Sequence, residues 1–137
     1  MNLGSAAQKV LVVADDQIAA KTLASIIRGA GYETFEALDG EDAVSLARNE
    51  TPGLIVLDIS SDTFSAPWDG YRIMEWMRRM KVSRGVPVII VADNAQDFDV
   101  ERAVDAGTCG ILYKPLNQGE LLRLVCNVLE ASVIMAA

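Results

Sequence analysis

Histidine is absent from this 137-residue chain. That removes imidazole as a general acid or base and as a metal ligand. Cysteine is scarce: Cys109 and Cys126 are too few and too irregular for a disulfide framework or a zinc site. No apolar stretch reaches the roughly 18 residues of a membrane-spanning helix. Residues 1–8 lack the charged and apolar regions of a secretory leader, so the expected location is the cytoplasm. Positive charge is in deficit, with 12 basic residues against 19 acidic and a net charge of −7. That argues against binding nucleic acid or an anionic membrane by bulk charge, although Arg72, Arg78, Arg79, Lys81 and Arg84 make a modest local basic patch. There is no helix-turn-helix pattern, and no Gly-rich phosphate loop, since Gly29-Ala30-Gly31 ends a helix rather than opening one.

What the chain has is a regular alternation of short apolar runs and amphipathic stretches. The runs Val10–Ala14, Glu33–Ala37, Leu54–Leu57, Val88–Ala92 and Ile111–Tyr113 read as strands, the apolar ones as buried parallel strands. Helices are expected over about 17–30, 40–49, 70–80, 96–106 and 119–130. The first has an apolar stripe of Ala19, Leu23, Ile26, Ile27 and Ala30, and Gly31 stops it. Asp39 caps the second, with Ala43, Val44 and Ala47 inward. The last turns Leu121, Leu122, Leu124, Val125, Val128 and Leu129 to one face. Five strands alternating with five helices imply an α/β fold, a parallel sheet covered on both faces.

In such sheets, sites form beyond the carboxyl ends of the strands. Asp15-Asp16 end the first run, Asp58 the third, and Lys114-Pro115 the fifth. Three carboxylates and one lysine therefore converge on one edge. Clustered carboxylates repel unless neutralised. Mg²⁺ does this with one or two carboxylates, a carbonyl and several waters. A carboxylate facing such a metal can act as a nucleophile toward a phosphoryl group, with an ammonium sharing the charge on the transferred oxygens. Lys114 is placed to be that ammonium. Taken singly, each Asp also reads as a helix cap.

These residues resemble the receiver domain of two-component response regulators (the CheY-like superfamily). The matching pieces are Val-Val-Ala-Asp15-Asp16, Leu-Ile-Val-Leu-Asp58, Asp69-Gly70-Tyr71, Pro87-Val-Ile-Ile-Val91, and Gly107-Thr-Cys-Gly110 followed by Tyr113-Lys114-Pro115. Asp39-Gly40-Glu41-Asp42-Ala43 also fits. The resemblance implies a flavodoxin-like doubly wound sheet in the order 2-1-3-4-5. The receiver domain would span residues 8–130, with a disordered segment 1–7 and a tail or truncation point at 131–137. Asp58 would be the phosphoacceptor, taking its phosphoryl group from a sensor histidine kinase or a phosphotransfer protein. Asp16, Asp58 and the backbone carbonyl of Ser60 would hold Mg²⁺, with Asp15 acting through water. Lys114 would pair with the phosphoryl oxygens, and the Lys114–Pro115 bond would be cis. Such a domain is no enzyme beyond its own phosphorylation and dephosphorylation. It would signal to a downstream protein by a conformational change, and a homodimer through helices four and five is a family-level expectation.

The pattern breaks in three places. The family ends its fourth strand with Thr or Ser before Ala, where this chain has Val91-Ala92-Asp93, so Ala92 offers no switching hydroxyl. Three residues before the lysine, where Tyr or Phe is common, stands Ile111. Tyr113 shares that strand face and reads as core packing or a partial replacement. The stretch from Ile59 to Asp69 is longer than usual and carries Asp62, Phe64 and Trp68. Ala92 and Ile111 favour a second reading, a phosphorylation-independent interaction module (a pseudo-receiver), which the intact Asp15, Asp16, Asp58 and Lys114 set opposes. An aspartate-nucleophile phosphatase fits less well, because Ser60 stands where such enzymes place a second Asp. Cys109 reads as a small buried residue near strand five.

Overall fold

Short unbroken runs of Val, Ile and Leu suit strands buried on both faces, and this is how the computed structural model arranges them. It describes residues 8–14, 16–59, 86–92, 101 and 108–136. Strands β1 (Lys9–Val13), β2 (Glu33–Ala37), β3 (Leu54–Ile59), β4 (Val88–Ala92) and β5 (Thr108–Tyr113) form one sheet, ordered β2-β1-β3-β4-β5. Every neighbouring pair is parallel. The described helices are α1 (Gln17–Gly29), α2 (Gly40–Glu50) and α3 (Gln118–Ala136). The helices expected over 70–80 and 96–106, and the 59–69 loop with Asp62, Phe64 and Trp68, fall outside the described residues apart from Ile59 and Glu101.

Alternation along each strand splits the core in two. Leu11, Val13, Ile55, Leu57, Ile90 and Ala92 pack with Ala43 and Ala47 of α2. Val10, Val12, Leu54, Val56, Ile89 and Val91 pack with Leu23, Ala24 and Ile27 of α1 and with Leu121, Val125 and Leu129 of α3. The inward face of α1 is Ala20, Leu23, Ala24 and Ile27. The expected stripe was rotated: Ala19 and Ile26 are half-buried and Ala30, at the C-cap, is exposed. The small residues Ala20 and Ala24 let the helix lie close to the sheet, which a count of large side chains alone overlooks. Gly31, at φ +101°, ends α1 in a conformation that favours glycine. The inward faces of α2 and α3 match the apolar spacing, with Leu122, Leu124 and Val128 half-buried. The backbone of α3 continues through residues 131–136.

β5 begins three residues earlier than its apolar run. Thr108 pairs with Val88 and Gly110 with Ile89, so Cys109 is the extra residue of a bulge. Thr108 Oγ1 lies 2.9 Å from both Val88 O and Gly110 O and closes that turn. Cys109 is therefore exposed, not buried as the sequence suggested.

Candidate functional site

Each candidate residue sits where a strand stops. Beyond β1, Ala14 N–H still donates to Ala37 O at 3.0 Å, and the chain then turns into α1. Asp16 is the N-cap of that helix: its Oδ1 accepts from Ile18 N–H at 3.1 Å. The helix-capping role weighed for this residue is thus present, on an exposed side chain at the site edge. Asp39 caps α2 in the same way, accepting from Asp42 N–H at 2.8 Å. Asp15 and Ser60 lie outside the described residues.

Asp58 differs from both caps. It is the penultimate residue of β3, the middle strand of the sheet, and only 3% exposed. A carboxylate that deep is costly unless its charge is matched. Lys114 Nζ lies 2.9 Å from Asp58 Oδ2. The two belong to strands that are not neighbours, since β4 runs between β3 and β5. Two strand spacings amount to roughly 10 Å, a gap suited to the long stem of a lysine. Its backbone is fixed for the reach: Lys114 N–H donates to Ala92 O at 2.8 Å, extending the β4–β5 ladder by one bond. The next peptide bond, Lys114–Pro115, is cis.

The positions around this pair are also defined. Asp58 is in register with Val91, Ile59 with Ala92, and Ala92 with Tyr113. Ala92 is buried and presents a methyl group. Ile111 is half-buried and packs against the cluster that contains Leu57, Ile90 and Ala92. Tyr113 is 38% exposed, which corrects the expectation of core packing. It is the last residue of an edge strand, where the core no longer covers it. The position of strand five as last in the order was the signal available for that exposure.

A buried Asp–Lys pair bridging across a strand end is weak evidence for stability. At the carboxyl edge of a parallel sheet it marks a candidate functional site. The family model for the response regulator receiver domain matches residues 10–126. The chain belongs to that family. Among relatives of this receiver domain, the polar-differentiation response regulator DivK of Brucella ovis is 29% identical over 122 residues, covering 89% of this chain and 96% of DivK. The receiver domain of a sensor histidine kinase from Pseudomonas aeruginosa PAO1 superposes with a TM-score of 0.79 at 28% identity. It covers 91% of this chain and 99% of that one, and holds a magnesium ion coordinated in its active-site cleft. The chemotaxis response regulator CheY4 of Vibrio cholerae shares the fold, with a TM-score of 0.78 at 23% identity over 90% and 99% of the two chains.

The donor set of this receiver domain suits a hard dication. Its described carboxylates at the edge are Asp16 and Asp58, oxygen ligands of the kind Mg²⁺ takes. Among the described residues no three acidic or cysteine side chains cluster tightly enough to hold a metal alone, so a binding set would need Asp15 or Ser60 as well. Also among the described residues, no helix is long and apolar enough to cross a membrane.

Proposed function

We propose that this receiver domain accepts a phosphoryl group on Asp58 and signals by a change in conformation. The observation that carries the reading is the ion pair between buried Asp58 and Lys114. One Asp58 carboxylate oxygen attacks the phosphorus of a donor, a phosphohistidine on a kinase or phosphotransfer protein, or a small acyl phosphate. The new O–P bond forms as the bond from phosphorus to the leaving group breaks, and the electron pair leaves with that group. Lys114 already stands against the acceptor and offers N–H donors to the arriving oxygens without reorganisation. Asp16 and Asp58, with Asp15 and the Ser60 carbonyl, are the residues that would hold Mg²⁺. When bound, the ion supplies further neutralisation of phosphoryl charge.

A second reading has a specific observation behind it. Ala92 is a buried methyl and Ile111 is packed into the core, so neither can act as a polar or swinging switch residue. A pseudo-receiver that docks partners without phosphorylation would look the same at those positions. Intact mass after incubation with acetyl phosphate and Mg²⁺ separates the two. The phosphoacceptor reading expects a gain of one phosphoryl group in the wild type and none in Asp58→Asn. No gain in either, with beryllofluoride and Mg²⁺ also failing to bind, favours the docking module.

A further inference from the structure

Two aspartate caps stand at the carboxyl edge of the sheet, and they differ in what lies beside them. Asp39 follows β2, the outer strand, whereas Asp16 follows β1, which pairs directly with β3. Val13 is in register with Leu57, so the chain leaves β1 beside Asp58. Asp58 shares the face of β3 that carries Leu54 and Val56, and α1 packs on that face through Leu23, Ala24 and Ile27. The start of α1 therefore stands at the Asp58 edge, on the Asp58 side of the sheet. Asp16 is held there at two points. Its backbone carbonyl accepts from Ala20 N–H at 2.9 Å, and its Oδ1 accepts from Ile18 N–H at 3.1 Å. A carboxylate is planar, so a bond to one oxygen restricts the direction of the other. The helix is a firm base for that bond, because Ala20, Leu23, Ala24 and Ile27 are buried. The Ile18 side chain is 75% exposed, so what the residue offers the site is its amide.

Resting on the reading of Asp16 and Asp58 as Mg²⁺ ligands, we propose that Ile18 is a positioning residue: its backbone N–H holds one oxygen of Asp16 so that the other serves the metal, and metal binding in turn tightens the first turn of α1. Hydrogen bonds behind a ligating carboxylate set its orientation, and losing one weakens metal binding even when every ligand is kept. The coupling is reciprocal: what the cap adds to metal affinity, the bound metal returns to the cap. The metal site itself is the one already described. What is added is the link from the metal to α1, through a single backbone amide.

The test is an amide chemical-shift titration of the full chain with MgCl₂, for wild type, Ile18→Pro and Gln17→Pro. Hydrogen exchange of the Ile18 amide is read in the wild type before and after saturation. Ile18→Pro deletes the N–H and leaves Asp16 and Asp58 in place. Gln17→Pro puts a proline in the same turn, at the position a helix tolerates best, and keeps the Ile18 N–H. Asp16 is already extended, at φ −92° and ψ 119°, as a residue before proline should be. The expected result is a Mg²⁺ affinity roughly tenfold weaker in Ile18→Pro and wild-type affinity in Gln17→Pro. Ile18 exchange in the wild type should slow several-fold when Mg²⁺ binds. Should Ile18→Pro not fold, the wild-type exchange alone decides. Unchanged affinity in Ile18→Pro overturns the proposal. Equal weakening by both prolines also overturns it, by assigning the effect to the helix start rather than to the bond. So does Ile18 exchange that is unchanged or faster with Mg²⁺, the faster case meaning that the metal draws Asp16 off the helix. A wild type that binds no Mg²⁺ removes the reading of the metal ligands, and this one with it.

Discussion

Asp58 and Lys114 are unequal partners, and that inequality makes a prediction at the level of single residues. The carboxylate is 4% exposed as a side chain and the lysine 36%. Lysine can turn to solvent when its partner is removed, whereas the carboxylate has nowhere to go. Lys114→Ala should therefore cost about 1–3 kcal/mol, below the usual penalty for breaking a fully buried pair because solvent screens one side. Asp58→Asn should cost less than that or stabilise. Urea denaturation of both variants measures the difference, and equal losses would mean the pair is not the source. The two cysteines make a second prediction. Cys109 is exposed as a residue, but partial desolvation of its sulfur pushes the thiol up, with its own and Val88's backbone hydrogen bonds opposing. The Cys126 thiol is raised chiefly by its hydrogen bond to Glu130, Sγ to Oε1 at 3.2 Å. A raised thiol pKa means less thiolate at neutral pH, so both should alkylate slowly at pH 7 and faster only as the pH climbs above the ordinary thiol range. Glu130→Gln removes the carboxylate acceptor and should speed iodoacetamide labelling of Cys126. An unchanged rate would exclude Glu130 as the cause.

At the scale of elements, the most crowded of the described glycines is Gly110, where β5 meets α3. A Cβ at Gly110 would stand 2.8 Å from Leu124 Cδ2, with Cδ1 and Cγ of the same residue at 3.4 and 3.5 Å. A leucine tip can move, but here most of the side chain stands in the way. Gly110→Ala should cost about 1–3 kcal/mol by overpacking. Gly53→Ala meets Leu129 Cδ2 at 3.3 Å and should cost less. Thermal melting of the two variants tests the order, and a reversed order would contradict the β5–α3 contact. The same region shows what the sequence could and could not reveal. The apolar runs located all five strands to within a residue or so, except at the start of β5. There Thr108, Cys109 and Gly110 lack a strand pattern, because a bulge breaks the alternation. Asp39 and the inward face of α2 were legible from capping and spacing. The face of α1 was legible in part: Leu23 and Ile27 turn inward as expected, but Ala20 and Ala24 share that face in place of Ala19 and Ala30.

For the whole molecule, topology does what no single residue can. The order β2-β1-β3-β4-β5 places the strand bearing Asp58 at the centre and the strand bearing Lys114 at the edge, with β4 between them. Asp16, Asp58 and Lys114 are far apart in sequence, and only the parallel sheet brings their strand ends to one rim. Their identities were legible because each follows an apolar run. The exposure of Tyr113 was hinted at only by the place of β5 at the end of the strand order. The most direct probe of Asp58 as acceptor is to phosphorylate the wild type with acetyl phosphate and Mg²⁺, reduce it with borohydride, and map the product by tandem mass spectrometry. Homoserine should appear at position 58 and disappear in Asp58→Asn. Homoserine at position 15, 16 or 62 with none at 58 would place the chemistry on another carboxylate and remove Asp58 from its role.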